Sequence, residues 1–141
     1  MTVVLDTNVA LTARVTRHPN CEIVRGLAAG RFVIAMSTAI SLEYTEIITA
    51  RAGPDAWRQF AAVLDLAARL HDNVLHVEPS FRWRLITADP DDDKFADCAI
   101  AAEADWIITE DAHFEVLKSA GHKPQPIAPA EFIARQLMGN G

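Results

Sequence analysis

The stretch DPDDDKFADCAIAAEADWIITED, residues 89–111, reads as a capped helix running straight into a buried strand, and that succession decides the fold class. Asp89 is suited to cap a helix whose first position is Pro90, a residue with helical φ and no N–H to leave unpaired. The helix extends to about Ala104. Residues 105–109 then form a strand whose unbroken apolar character marks burial on both faces. The same alternation spreads in both directions. Residues 2–6, 32–36 and 73–77 are further short apolar strands, and another surrounds Ile127. Between them, helical spacing runs from Pro19-Asn20 to Gly30, from Ser37 or Thr38 to about Arg51, and from Asp55 to Leu70. A short helix through Phe114, Val116 and Leu117 ends at Gly121, and Pro129 opens a last one to Leu137. Residues 79–90 stay open: Phe81, Trp83 and Leu85 alternate with Arg82 and Arg84 as in a strand, yet Pro79 and Pro90 bracket a loop. Strands alternating with helices predict an α/β fold, a three-layer α/β/α sandwich around a mostly parallel sheet of about five strands.

The chain has 141 residues, which predicts a single domain over 1–141 with one core. Half of them are hydrophobic and 23% are charged, the composition of an ordinary globular protein. A net charge of −6 argues against a broad basic surface for gripping duplex nucleic acid. It leaves room for a nuclease, because cations held by the acids would bring positive charge to a phosphate. Cys21 and Cys98 lie in apolar segments, as reduced core thiols would, and no zinc-type spacing surrounds them. No leader-like start and no apolar run near about 18 residues is present, so cytoplasm is the expected location and no membrane is expected as a partner.

Four acids sit in otherwise apolar or turn-forming settings: Asp6, Glu43, Asp97 and Asp111. Desolvating an unpaired carboxylate is costly, and the usual partner for several gathered acids is a hard divalent cation. In parallel sheets, ligand sites lie beyond the carboxyl ends of the strands. Asp6 and Asp111 follow two strands, and Glu43, six residues into a helix, rises only about 9 Å from that edge. Asp93 and Asp97, four apart on one helix face, belong to the start of a helix that must begin there. Each has a plainer alternative: Asp6-Thr7-Asn8 can cap a helix, Glu43 can pair with an Arg, and Asp111 can cap the short helix after it. Asp91, Asp92 and Asp93 favour a helix N-terminus electrostatically.

The series Leu5-Asp6-Thr7-Asn8, Ser41-Leu42-Glu43-Tyr44, Asp97-Cys98-Ala99-Ile100-Ala101-Ala102 and Ile108-Thr109-Glu110-Asp111 resembles the PIN-domain ribonuclease family, in order and spacing over nearly the whole chain. Residues 89–95 resemble its bacterial branch of VapC-like toxins from toxin–antitoxin pairs. The resemblance implies that Asp6, Glu43, Asp97 and Asp111 form a catalytic, metal-binding quartet, with Asp93 a fifth member. It also implies that Thr7, Asn8 and Thr109 orient those acids, a role hydroxyls and amides fill.

The chemistry to expect is hydrolysis of RNA phosphodiester bonds with Mg²⁺ or Mn²⁺, since oxygen-only ligands suit these ions. Arg14 and Arg17 are candidate phosphate contacts, as are Arg82 and Arg84, whose aromatic neighbours offer base stacking; aromatics turned into the core are the alternative. Single-stranded or looped RNA is the expected substrate, and an antitoxin from an adjacent gene and a second copy of the chain are the expected partners. Two rivals remain. A phosphatase or phosphotransfer protein would favour an Asp-x-Asp pair, but position 8 is Asn. A catalytically silent RNA- or protein-binding module would not need the acids.

Overall fold

A computed structural model describes residues 1–138. Five strands, β1 (Thr2–Leu5), β2 (Val33–Met36), β3 (Val74–His76), β4 (Trp106–Ile108) and β5 (Gln125–Ile127), form one sheet in the order β3-β2-β1-β4-β5. Every pairing is parallel. Val3 lies opposite Ile34 on one side, and on the other Val4 and Leu5 face Ile107 and Ile108. These side chains are almost wholly inaccessible. Burial on both faces explains why the strands are unbroken apolar runs rather than alternating ones.

The helices are α1 (Thr7–Ala13), α2 (Cys21–Ala28), α3 (Thr38–Ala52), α4 (Pro54–His71), α5 (Asp93–Ala101) and α6 (Pro129–Phe132), the last continued over Ile133–Met138 in wider π geometry. Ser37 caps α3 by accepting from the Ile40 amide at 3.2 Å. Gly53, at φ +98°, makes the corner that a side-chain-bearing residue would resist, and Pro54 restarts the chain as α4. α1 packs on α2 and α3, α2 on α4, and α3 on α4; α5 packs against β1, β2 and β4. The chain steps one way from β1 to β3 and the other way from β3 to β5. Right-handed crossovers therefore place α1 to α4 on one face and α5 on the other. The direction reverses between β1 and β4, and at such a switch point the strand ends open a crevice.

The structure departs from the sequence reading at two places and decides a third. Residues 7–13, for which the sequence offers no helix beyond a possible cap at Asp6-Thr7-Asn8, form α1. Residues 79–90, open between strand and loop, form no strand: Phe81, Trp83 and Leu85 are exposed, and Ile86 alone plugs the core. The helix expected from Pro90 begins as a tight 3₁₀ turn over Pro90–Asp92, and residues 112–120 are 3₁₀ turns throughout. Cys21 and Cys98 are buried and unbridged. Among the described residues no helix is long and apolar enough to cross a membrane.

Asn73, buried at the entry to β3, donates to the carbonyls of Leu27 at 2.9 Å and Phe32 at 3.1 Å, tying the end of α2 to the start of β2. Asn73→Ala strips both carbonyls of their donor, so urea unfolding should show a loss of about 2–3 kcal/mol with an unchanged denaturant slope.

Candidate functional site

Asp6 stands where β1 meets α1. Its amide donates to the Ile108 carbonyl at 3.0 Å, the last rung between β1 and β4, and its carbonyl accepts from Val9 and Ala10 in the first turn of α1. Although its backbone has cap geometry, its side chain makes no cap bond. The carboxylate instead accepts from the Thr109 hydroxyl at 2.7 Å, and Thr109 Oγ1 in turn accepts from the Asp111 amide at 2.9 Å. One hydroxyl thus links the acids that follow β1 and β4. Burial pushes the Asp6 carboxyl above its ordinary range, with Asp111 and Glu43 adding to the shift and the bonds from Thr109 and Thr7 opposing it. Asp111 does cap the turns after it, since one of its oxygens accepts from the His113 amide at 2.9 Å.

A third acid joins them that the sequence reading set aside as helix-start electrostatics. Asp92 is pushed up to about 7, first by burial and then by the charges of Asp111, Asp6 and Asp89. Its Oδ2 is buried without a hydrogen-bond donor. His113 Nδ1 lies 3.5 Å from that oxygen and 3.3 Å from Asp111 Oδ1. Ligand atoms of Asp89, Asp92 and His113 fall within 4.8 Å of one another. A buried carboxylate oxygen without a donor, set among other acids, suits a hard divalent cation, and oxygen donors suit Mg²⁺ or Mn²⁺.

Glu43 reaches the same edge from α3, but both its oxygens are engaged. One accepts from Thr7 Oγ1 and the other from Lys94 Nζ at 2.5 Å, so the cation beside Glu43 is a lysine from α5 rather than the arginine of the plainer alternative. Asn8 is exposed, and its carbonyl accepts from Thr12.

Asp93 and Asp97 do share a helix face, and it is turned elsewhere. Asp97 Oδ1 accepts from the Trp83 amide at 3.0 Å and Asp93 Oδ1 from the Ile86 amide at 2.9 Å, so both pin down the segment after β3. Burial raises the Asp97 carboxyl, with Asp93 adding; the Trp83 amide and Arg82 work against it. These acids border a cavity of about 660 Å³ that Arg82, Arg84 and Lys94 also line. Arg17 lies in a different groove with His18 and Arg25, one that none of these acids lines. Arg14 is half-buried, and its Nε has no hydrogen-bond partner.

Asp89, Asp92, Lys94 and His113 were thus missed as site members. The run Asp91-Asp92-Asp93 announces acids at a helix start, but a 3₁₀ turn advances side chains by a larger angle than an α turn, so phase decides which acid faces inward.

A model of the family described as "PIN domain" matches residues 2–113 of the chain. No curated protein matches it. Among solved structures, a crystal structure of VapBC2 from Rickettsia felis bound to a DNA fragment from their promoter superposes with a TM-score of 0.53 at 21% identity, covering 82% of this chain and 92% of that one. The likeness is one of fold.

A carboxyl whose pKa rises on folding binds, in the folded chain, a proton that the unfolded chain has released. Asp92, at 3.8 when unconstrained and about 7 when folded, therefore costs stability as pH climbs from about 4 through 7. In EDTA the protein should melt higher at pH 5 than at pH 8. Asp92→Asn should flatten that dependence and outlast wild type at pH 8. An equally steep pH dependence in both proteins would count against the grouping.

Proposed function

The chain belongs to the PIN domain family, and on that premise we propose that it is a divalent-metal-dependent endoribonuclease acting as the toxin of a toxin–antitoxin pair. The observation that carries this reading is the convergence of Asp6, Asp92 and Asp111 at the switch point of the sheet, with the Asp92 Oδ2 atom buried and unpartnered. Asp92, whose ligand atom lies within 4.8 Å of those of Asp89 and His113, would hold Mg²⁺ or Mn²⁺ together with the neighbouring Asp6 and Asp111, with Glu43 beside them. When bound, such an ion makes attacking water acidic enough to act near neutral pH and neutralises charge at the scissile phosphate.

The chain's own groups set the stage. Thr109 holds Asp6 and the Asp111 backbone in register, so two ligands move as one unit. Thr7 and Lys94 fix Glu43 from both sides. Asp93 and Asp97, counted by the family resemblance among the metal ligands, serve in this reading to position the neighbouring segment. Thr7 keeps an orienting role, on Glu43.

RNA that is single-stranded or looped fits an acidic protein better than duplex, whose binding draws on many phosphate contacts. The likeness to a VapBC complex supports a partner protein, and the surplus of acid at the edge suits a partner segment bearing Arg or Lys. Co-expression with the adjacent reading frame tests that role separately from cleavage: a protein that stays active alone and does not slow growth would end the toxin reading and leave the nuclease reading standing.

The nuclease reading is tested with purified protein and a labelled RNA, offered alone and annealed to its complement. Cleavage should require Mn²⁺ and favour the single strand. Asp6→Asn and Asp92→Asn should each lower it about a hundredfold or more without lowering the melting temperature, while calorimetry shows loss of Mn²⁺ binding. Wild-type cleavage by either variant would overturn the assignment.

A further inference from the structure

Residues 79–88 form a strap between β3 and the 3₁₀ turn that opens α5, and the proposed reaction leaves its surface unused. Three ties hold the strap down: Asp97 accepts from the Trp83 amide, Asp93 accepts from the Ile86 amide, and the Ile86 side chain is fully buried. Between these ties the chain turns its largest side chains outward. Phe81 is 59% exposed and Trp83 48%, although burying either would remove well over 100 Å² of apolar surface from water. Their rings meet at 4.6 Å between centroids, a tilted pair standing as one surface. Arg84 sits at φ +54°, a left-handed conformation that residues other than glycine adopt at a cost.

Charge follows the same pattern. Arg82 and Arg84 are the only charged residues between Ser80 and Thr87, so a chain of net charge −6 presents here a segment of charge +2. Among the described residues neither arginine forms a salt bridge, and both line the cavity of about 660 Å³. Asp93 and Asp97, which line the same cavity, each accept from a strap amide, and Arg82 also acts on the Asp97 carboxyl. The cavity continues along α5 past Lys94 to Asp91, the residue next to Asp92. An aromatic face interleaved with guanidinium groups combines the two elements that single-stranded nucleic acids need: stacking for bases and cations for the backbone.

Resting on the ribonuclease reading, we infer that the strap is the substrate platform of this protein: Phe81 and Trp83 stack bases of single-stranded RNA while Arg82 and Arg84 hold its phosphates, leading the strand to the acids. Asp93 and Asp97 are positioning residues for that platform. Stacking is indifferent to base identity, so the strap confers affinity for unpaired strands rather than a sequence preference.

The test uses the full chain and a fluorescein-labelled 12-nucleotide RNA of mixed sequence, with binding read by anisotropy in EDTA and cleavage in Mn²⁺. The double variant Phe81→Ala/Trp83→Ala should bind about tenfold or more weakly. Trp83→Phe should restore most of that loss when Phe81 is intact. Arg82→Gln/Arg84→Gln should lower the slope of log affinity against log salt by about 1.4, two phosphate contacts' worth. Because these side chains are exposed, melting temperatures should stay near wild type, and Mn²⁺ affinity should not change. Duplex of the same sequence should bind more weakly and ignore the aromatic substitutions. Unchanged RNA affinity in both double variants would overturn the platform while leaving the nuclease reading intact wherever wild type still cleaves. A protein that dimerises through Phe81 and Trp83, dissociating in the aromatic variant with RNA affinity unaltered, would also overturn it and identify a second copy as the occupant. Absence of cleavage of any RNA by wild type would instead remove the reading on which the inference rests.

Discussion

The parallel pairing of β1 with β4, closed by the bond from the Asp6 amide to the Ile108 carbonyl, holds two strand ends side by side at the point where the sheet reverses its winding. Whatever follows those strands must share one small space. Here it is Asp6 and, three residues beyond Ile108, Asp111, with Thr109 bonded to both. Backbone geometry thus enforces a proximity that the charges themselves oppose. The remaining design serves this enforced meeting: α1 starts directly after Asp6, α3 brings Glu43 alongside, and the 3₁₀ turn before α5 inserts Asp92.

A site that repels itself needs a scaffold that does not yield. That scaffold is the doubly covered sheet, in which Val3, Val4, Ile34, Ile107 and Ile108 are almost entirely withdrawn from water. Tyr44 anchors α3 to the sheet by donating to the Leu5 carbonyl just before Asp6, and its fully buried ring packs edge-on against Phe60 of α4. Stability collected in the core offsets the cost of the acids at the rim, which is how functional sites generally persist.

The acids at the head of α5 divide the space around them. Asp92 faces Asp6 and Asp111; Asp93 and Asp97 face the strap and hold it through its amides. Lys94 takes up Glu43. One turn of chain therefore addresses the acid edge, the neighbouring helix and the cavity under the strap. Alternation of direction along a helix start makes this division available without any extra element.

Local patterns in the sequence determined the class of fold and the strand ends. Short apolar runs can be satisfied only by burial on both faces, and runs of that kind separated by helices leave a parallel sheet as the economical solution. The edge position of Asp6 and Asp111 was legible for the same reason, since a residue just after a buried parallel strand has one edge to occupy; Thr109 came only from the family resemblance. Glu43 was legible as an acid near that edge, but its partner was not, because Lys94 is fifty-one residues away and pairing over such separation depends on how two helices pack. The α1 helix escaped notice because its seven residues carry too little periodicity. That Asp92 lies near Asp6 while Asp97 accepts from the strap has a reason of phase. A 3₁₀ turn and an α turn rotate successive side chains by different angles, and only the packed position of α5 against β1, β2 and β4 decides which acid meets Asp6 and which meets the strap.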